Sequence, residues 1–413
     1  MIRVKPFAAL RPRPEQASQV ACVPYDVVST REARVLAAGN PISFLHAVRP
    51  EINLPDTTDP HDDAVYARAK SEFDRFAREV FVRESQPSMY LYRQEMTLLG
   101  RRVSQTGVVA CCHIDDYEKG LIKKHEKTRR DKEDDRTRYV LEQNANAEPV
   151  FFLFKDRPDL IRLIEEGSRG GALYDFTAVD GVRHTLWRVA SAGPYVAAFQ
   201  TIPAVYVADG HHRTAAAARA GIERKRANPG HTGDEEYNWF LSVLFPASRL
   251  TILPYHRIVH DLNGLTAEGF ISRLRGAGLV TEPAEPAPNR PHHVSIYLKG
   301  VGWIGFEFPG ASIPKDDPIK SLDYELLADR VLTPILGIGD IRSDPRIDFV
   351  GGIRGPGELV KRVDSGEAAV AFSMFPTSIE QLIAIADAGA IMPPKSTWFE
   401  PKLRSGLVVH TLD

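Results

Sequence analysis

The chain has 413 residues, of which 43% are apolar and 26% charged, and its formal net charge is −2. This length predicts two or three structural units, the apolar share excludes a disordered chain, and the lack of any apolar run of about 18 residues excludes a membrane-spanning one. The near-neutral charge argues against a protein that covers nucleic acid with a broad basic surface, and leaves only a local nucleic-acid site open. We expect a cytoplasmic protein with no membrane partner.

The N-terminal part of the chain contains clear periodic patterns. Frequent prolines predict short strands and turns over residues 1–60, and apolar residues at three- and four-residue steps predict a helix over 62–82. Alternating side chains over 88–99 and 103–114 predict an antiparallel hairpin. From 118 to 138 opposite charges recur four residues apart, which predicts a solvated helix.

The next segment holds the clearest supersecondary pattern of the chain. The apolar word VFFLF at 150–154 predicts a buried strand, 157–167 predicts a helix, and 184–199 predicts a second hairpin. Residues 203–221, PAVYVADGHHRTAAAARAG, predict a strand, a tight turn and a helix, with Gly221 as the C-cap of that helix.

The rest of the chain follows a proline-rich segment, 281–291, which holds four prolines and predicts a linker or a long surface loop. Beyond it the patterns predict paired strands at 293–298 and 302–308, a helix at 324–336, a strand at 369–375, a helix that runs to 388 from a capping box at 377–380, and a final strand at 407–412. We predict an α+β fold of mixed or antiparallel sheets with flanking helices. It should form two lobes, 1–280 and 292–413.

The strongest candidate for a site is the word Asp209-Gly210-His211-His212-Arg213. Because a strand enters the glycine turn and an alanine-rich helix leaves it, both histidines and the arginine fall on the first helical turn. Free backbone N–H groups and the positive end of the helix dipole favour an anion there. The arginine offers a planar fork for phosphate oxygens, and the histidines can donate hydrogen bonds or move a proton. The alternative is a helix that Asp209 merely caps, with solvated histidines.

A second candidate is His125-Glu126, within the charged run. A carboxylate beside a histidine can act as general base towards an alcohol, or the two can bind a divalent metal together. The histidine spacing of a zinc protease is absent. A solvated helix face is the alternative interpretation of these charges.

A third candidate is Lys395-Ser396-Thr397, which follows two prolines. A lysine and two hydroxyls in a stiff loop can contact phosphate, but no glycine-rich cradle precedes them, so the segment is not a P-loop. The chain also lacks GxGxxG, GxSxG and paired CxxC motifs. The common dinucleotide folds and the serine-hydrolase architecture are therefore not expected.

Several short sequence segments, taken in chain order, resemble the bacterial and archaeal family called domain of unknown function 1015. The resemblance covers essentially the whole chain. The segments are VKPFAALRP at 4–12, PYDVVS at 24–29, NPISFLHAVRPE at 40–51, KKHEKTRRDKEDDR at 123–136, VADGHHRTAAA at 207–217 and MPPKSTWFEPKLRSGLVVHTL at 392–412. DGHHR, with Lys5-Pro6 and Arg11-Pro12, is also similar to the ParB/sulfiredoxin-like group. That group includes chromosome-partitioning nucleotide hydrolases, sulfiredoxins and ADP-dependent free serine kinases.

This resemblance implies a ParB/sulfiredoxin-like core enlarged by insertions. By analogy with the kinases, it implies transfer of a phosphoryl group from ADP or ATP to a small hydroxyl substrate such as serine. The implied catalytic residues are Glu126, as the base, with His125 and Asp209. The implied phosphate-binding residues are Gly210, His211, His212, Arg213, Lys395, Ser396 and Thr397.

The same resemblance implies Mg²⁺ bridging the phosphates, with Glu126 or Asp209 nearby. Two other functions stay open from the sequence. One is a nucleotide-sensing regulator that binds DNA or a partner protein, and the other is a phosphate-ester hydrolase that uses the same anion site.

Overall fold

The computed structural model describes residues 1–413 as two compact units. Unit 1 comprises Met1–Leu250 and Pro401–Asp413, and unit 2 comprises Thr251–Glu400. This division differs from the predicted one at 281–291. The proline-rich segment is a loop within unit 2, because the strands on both sides of it, Leu279–Thr281 and His293–Leu298, pair with the same strand.

The chain forms 21 strands and 13 α-helices. The strands are β1 (Val4–Lys5), β2 (Leu10–Pro12), β3 (Phe81–Arg83), β4 (Tyr90–Leu98), β5 (Arg101–His113), β6 (Ile122–Lys123), β7 (Ala145–Asn146), β8 (Val150–Phe154), β9 (Tyr174–Thr177), β10 (Arg183–Arg188), β11 (Val205–Asp209), β12 (Trp239–Pro246), β13 (Thr251–Leu253), β14 (Tyr255–Val259), β15 (Leu279–Thr281), β16 (His293–Leu298), β17 (Gly302–Glu307), β18 (Ile347–Gly351), β19 (Val370–Met374), β20 (Trp398–Glu400) and β21 (His410–Thr411).

The helices complete the α+β fold that the sequence predicts. They are α1 (Ala17–Val20), α2 (Thr30–Ala37), α3 (Leu45–Val48), α4 (Asp63–Arg75), α5 (Ile114–Glu118), α6 (Arg130–Gln143), α7 (Pro158–Gly167), α8 (Gly193–Phe199), α9 (His211–Ala227), α10 (Ala267–Ala277), α11 (Asp323–Leu327), α12 (Gly355–Asp364) and α13 (Ile379–Asp387). None of these helices is long and apolar enough to cross a membrane.

Unit 1 is built on a nine-stranded mixed sheet of order β6-β11-β8-β12-β5-β4-β10-β9, with β1 paired to β5. Its core contains fully buried aromatic side chains from β8 and β12, including Phe152, Phe154 and Phe240. The word VFFLF predicted the central strand β8 because a strand covered on both faces reads as a continuous apolar run. At one edge of the sheet, β6 is parallel to β11 and β8 is antiparallel to it.

Unit 2 is built on a six-stranded antiparallel sheet of order β15-β17-β16-β19-β14-β18. Its own apolar core packs side chains of this sheet, such as Ile296 and Phe372, against α10 and α11. The predicted pair of strands before and after 300 is confirmed as β16 and β17.

Several local predictions are wrong. Residues 1–60 contain short helices as well as short strands, the longest being α2. Only the second part of the 118–138 run is helical, because Ile122–Lys123 pairs with β11 and helix α6 begins at Arg130. The segment 184–199 is a strand followed by helix α8 rather than a hairpin. Gly221 is not a C-cap, because α9 continues to Ala227.

Candidate functional site

Three segments of unit 1 meet at one end of the edge strands β6, β11 and β8. Because β6 and β11 are parallel, the residues that follow them, His125 and Glu126 in one case and 209–213 in the other, emerge at the same end. Because β8 is antiparallel to β11, the residues that precede it, Glu148 and Pro149, lie at that end too. The sheet thus brings the two strongest predicted motifs together.

Gly210 makes the turn between β11 and α9. Its φ is +89°, and a β-carbon there would lie 3.1 Å from the Arg213 guanidinium, so the position suits only glycine. The Thr214 amide donates the first helical hydrogen bond, to the Gly210 carbonyl at 2.8 Å. The amides of His211, His212 and Arg213 consequently have no helical carbonyl to donate to, which is the geometry of an anion site.

Two buried imidazoles and one carboxylate form the centre of the site. The rings of His125 and His211 are nearly perpendicular, with centroids 4.5 Å apart. His211 Nδ1 lies 3.6 Å from Glu126 Oε2, and His211 Nε2 is buried without a hydrogen-bond partner. Burial lowers the pKa of each histidine to about 3, so both are neutral at neutral pH. The Glu126 side chain is 36% exposed and stays accessible to a ligand.

His212, in the first turn of α9, forms a hydrogen bond with the loop that follows β6. Its Nε2 accepts a hydrogen bond from the backbone amide of Arg129 at 3.1 Å, so the ring is a neutral acceptor at that nitrogen. Burial lowers its pKa, which favours the same neutral form. His125 and Glu126 therefore lie on a loop, not on the solvated helix that the charge pattern predicted.

Arg213 is buried beneath the first turn of α9. Its Nη1 donates to the Pro149 carbonyl at 2.6 Å, and its Nη2 lies 3.5 Å from Asp209 and 3.9 Å from Asp26. Burial opposes its charge, but Asp26, Asp209 and Glu148 outweigh that effect and raise its pKa. The guanidinium is thus a fixed positive charge at the first turn of α9, with its Nε unpartnered.

Asp209 has two cationic neighbours. Lys402 Nζ lies 3.4 Å from its Oδ2, and Arg213 lies on the other side. Burial opposes ionisation, yet these two cations hold the pKa of Asp209 below its usual value. The Asp209 carboxylate therefore remains charged, and Lys402 and Arg213 balance that charge. Such a carboxylate is better suited to positioning Arg213 than to accepting a proton.

Sequence reasoning missed several residues at this site. Glu148 accepts hydrogen bonds from the Tyr25 amide at 3.1 Å and from the Ser405 hydroxyl at 3.2 Å, and burial raises its pKa. Arg136 stacks on the Tyr25 ring at 4.1 Å. Asp26, the acidic residue of the PYDVVS segment, was the one signal that could have indicated a partner for Arg213.

The remaining predicted residues have other local partners. Lys395, Ser396 and Thr397 lie in unit 2, where the Ser396 hydroxyl donates to the Pro393 carbonyl at 2.8 Å and Lys395 Nζ lies 5.4 Å from the Tyr255 ring centroid. Their phosphate contact stays a prediction.

The basic residues of the Lys5-Pro6 and Arg11-Pro12 pairs each have a carboxylate partner in unit 1. Lys5 pairs with Glu236 at 2.8 Å, and Arg11 pairs with Glu84.

The site contains carboxylates but no preformed cage for a metal ion. No cluster of three or more histidine, cysteine, aspartate or glutamate side chains that could hold a metal occurs in residues 1–413. Mg²⁺ in nucleotide enzymes often needs only one or two carboxylates, since the phosphates complete its shell. Asp209 is occupied by Lys402 and Arg213, so Glu126 fits such a role better.

Comparisons with solved structures give low-identity matches. A conserved hypothetical protein from Pyrococcus furiosus is 13% identical, with 74% of this chain and 95% of that chain covered and a TM-score of 0.35. A free serine kinase in complex with AMP is 13% identical, with 73% and 92% covered and a TM-score of 0.35. SbnI with a C-terminal truncation, from Staphylococcus aureus, is 9% identical, with 73% and 87% covered and a TM-score of 0.40.

The family comparison is more direct. No curated protein matches the sequence. The family described as "Protein of unknown function (DUF1015)" matches residues 4–325, which is most of the chain and includes both the His125-Glu126 and the DGHHR words. The chain therefore belongs to the DUF1015 family.

Proposed function

We propose that the protein is a nucleotide-dependent small-molecule kinase that transfers a phosphoryl group from ADP or ATP to a small hydroxyl compound such as free serine. One observation carries the proposal: Glu126, from the loop after β6, lies 3.6 Å from His211 at the start of α9. Phosphoryl transfer requires a positioned hydroxyl and stabilised negative charge, with little covalent chemistry from the protein. An accessible carboxylate beside an anion-binding helix terminus meets both requirements.

The nucleotide phosphates would bind at the first turn of α9. The amides of His211 and His212 are available there, and the buried Arg213 adds a positive charge that Asp209 and Pro149 hold in place. Fixed donors around a phosphate need no rearrangement when charge develops on it. Mg²⁺ would neutralise charge on the phosphates, and Glu126, whose side chain is more exposed than that of Asp209, would contact it.

Glu126 would act as the base. As the acceptor oxygen attacks the terminal phosphorus, its proton moves to the Glu126 carboxylate and a new P–O bond forms. The bond from that phosphorus to the bridging oxygen breaks, and AMP leaves when the donor is ADP, or ADP when the donor is ATP. The neutral His125 and His211 keep the carboxylate in a partly dry environment and do not compete for its proton.

The test is an assay with purified protein, ADP or ATP, Mg²⁺ and L-serine, followed by phosphorus NMR. We expect phosphoserine from the wild type, and a loss of about 10²- to 10⁴-fold in kcat for Glu126→Gln, the range for removal of a general base. Glu142→Gln is the matched control, because Glu142 is a carboxylate on α6 that pairs only with Arg138, at 3.7 Å. It should keep full activity.

Other products would assign other functions. Release of inorganic phosphate without an acceptor would indicate the hydrolase. Nucleotide binding with no turnover, together with salt-sensitive DNA binding, would indicate the regulator. If no nucleotide produced a thermal shift, the kinase proposal would be overturned.

A further inference from the structure

Unit 2 contains an open cleft of about 490 Å³ that the proposed function does not use. It is lined by His292, Gly310, Ile313, Lys315, Ser321 and Gln381. Two of these residues carry or can carry a positive charge, two others provide polar side chains, and the cleft is open to solvent. Four of the six lining residues thus have side chains that can donate a hydrogen bond to a ligand.

His292 is fixed by a buried carboxylate. Asp323, the first residue of α11, is only 6% exposed, and both of its oxygens accept the His292 backbone amide at 3.0 Å. His292 Nδ1 lies 3.1 Å from Asp323 Oδ1. The backbone φ of His292 is +64°, which side chains rarely adopt, so these contacts maintain a strained conformation.

The imidazole of His292 is partly accessible and lines the cleft. Its Nδ1 is buried, whereas the side chain as a whole is 32% exposed, so a ligand can reach the ring only at atoms other than Nδ1. Nδ1 has no hydrogen-bond partner, so the Asp323 carboxylate, 3.1 Å away, acts on the ring through its charge and proximity. Burial raises the pKa of Asp323 to about 6.

The other lining groups supply donors. Lys315 is exposed and contributes a second positive charge. The Gln381 side-chain oxygen accepts the Ser378 amide at 2.9 Å in a capping box, so its amide nitrogen is the group left for a ligand. Ser321 adds a hydroxyl to the same lining.

We propose that this cleft binds a small oxyanion, a phosphate or carboxylate group, between His292 and Lys315, with Ser321 and Gln381 as further donors. Asp323 is a positioning residue: its two oxygens hold the His292 backbone amide beside the cleft. The inference does not depend on kinase activity at His211 and Glu126.

The experiment follows the His292 ring directly. Full-length protein labelled at histidine Cε1 is titrated with inorganic phosphate, and separately with acetate, at constant ionic strength. The His292 signal is assigned by its disappearance in His292→Gln. We expect a saturable shift of this signal, with a midpoint at least tenfold weaker in Lys315→Ala.

Lys320→Ala is the matched control, because Lys320 is an exposed lysine of the same segment that approaches Asp317 at 3.9 Å and does not line the cleft. Its midpoint should equal that of the wild type. Saturation by phosphate alone would assign a phosphate site, and saturation by both anions would assign a general oxyanion site. A His292 signal that does not shift, that shifts without saturating, or that titrates equally in Lys315→Ala would overturn the proposal.

Discussion

His125 and His211 illustrate how burial decides the chemistry of a residue. From sequence, His211 could donate a hydrogen bond or shuttle a proton, and shuttling requires a pKa near the working pH. The structure encloses His125 and His211 at a centroid distance of 4.5 Å, and burial lowers the pKa of each to about 3. At neutral pH they are uncharged groups, so the positive charge at the start of α9 comes from Arg213.

This burial predicts a pH dependence of stability. An unfolded histidine has a pKa of about 6.5, so on acidification the unfolded state takes up protons before the folded state does. The stability that neutral His211 contributes is present above that pKa and is lost as the pH falls towards about 3. His211→Gln should therefore reduce the slope of unfolding free energy against pH, between about pH 6 and pH 4, by up to about 1.4 kcal/mol per pH unit.

Urea unfolding at a series of pH values measures this slope. His260→Gln, at an exposed histidine, is the control and should leave the slope unchanged. An unaltered slope in His211→Gln would show that His211 is accessible to protons in the folded protein.

The residues of the site differ in how far the sequence could predict them. DGHHR is visible because the turn, the helix start and the charged side chains are adjacent in the chain. Three distant segments contribute Asp26, Glu148 and Lys402. None of these segments has a local pattern that marks it as part of a site. Only strand pairing and the return of the C-terminal segment bring Asp26 and Glu148 to Arg213 and Lys402 to Asp209, and no local pattern encodes either.

At the scale of elements, strong periodic patterns predicted that a helix or strand exists better than they predicted where it begins and ends. The hairpin of β4 and β5 is confirmed, because alternation over long strands leaves little ambiguity. The charged run was predicted as one helix, but β6 pairs with β11 and Arg129 donates to His212, so the helix begins at Arg130. The capping box of α13 lies at Ser378 and Gln381, one residue later than predicted. Pairing across the sheet outweighs charge spacing worth a few tenths of a kcal/mol.

Gly221 shows why α9 contains a glycine in mid-helix. A β-carbon there would overlap the Tyr237 carbonyl oxygen and approach the Ile114 side chain at 2.9 Å. Gly221→Ala should therefore destabilise unit 1 by about 1–3 kcal/mol, although alanine is the better helix former. Thermal or urea unfolding measures the change.

Gly276 in α10 is the matched control, because no atom lies within 4 Å of a β-carbon built there. Gly276→Ala should stabilise the protein by about 0.5–1 kcal/mol. Equal stabilisation by both substitutions would contradict the close packing of α9.

At the scale of the molecule, the last thirteen residues are part of unit 1 although they follow unit 2 in the chain. Lys402 pairs with Asp209, and Arg404 Nε lies 3.2 Å from His184 Nε2 and also pairs with Asp180. The final strand pairs with β7. The predicted lobes 1–280 and 292–413 missed this return, because composition marks flexible segments and not the partner of each strand.

Deleting Pro401–Asp413 should accordingly disrupt unit 1 and its site. Each buried polar group of unit 1 that loses its hydrogen-bond partner should cost about 1–3 kcal/mol of folding free energy. Hydrogen exchange measured by mass spectrometry should show lost protection in β7, β10 and α9. The sheet strands β16 and β19, which have their own core, should keep their protection. Deletion of the exposed Asp413 alone is the control, and full protection of α9 after the long deletion would refute this assignment.

The pairing of β13 with β20 joins the two ends of unit 2 and bears on how unit 2 became part of the chain. Thr251, the first residue of unit 2, pairs with Glu400, its last. Neighbouring antiparallel strands hold paired α-carbons about 5 Å apart, so the two ends of unit 2 meet. A segment whose ends meet can enter or leave a surface turn of a host protein without stretching that turn. Unit 2 thus has the connectivity of a module acquired in a single insertion, and excising residues 251–400 would leave a gap that a few residues could close.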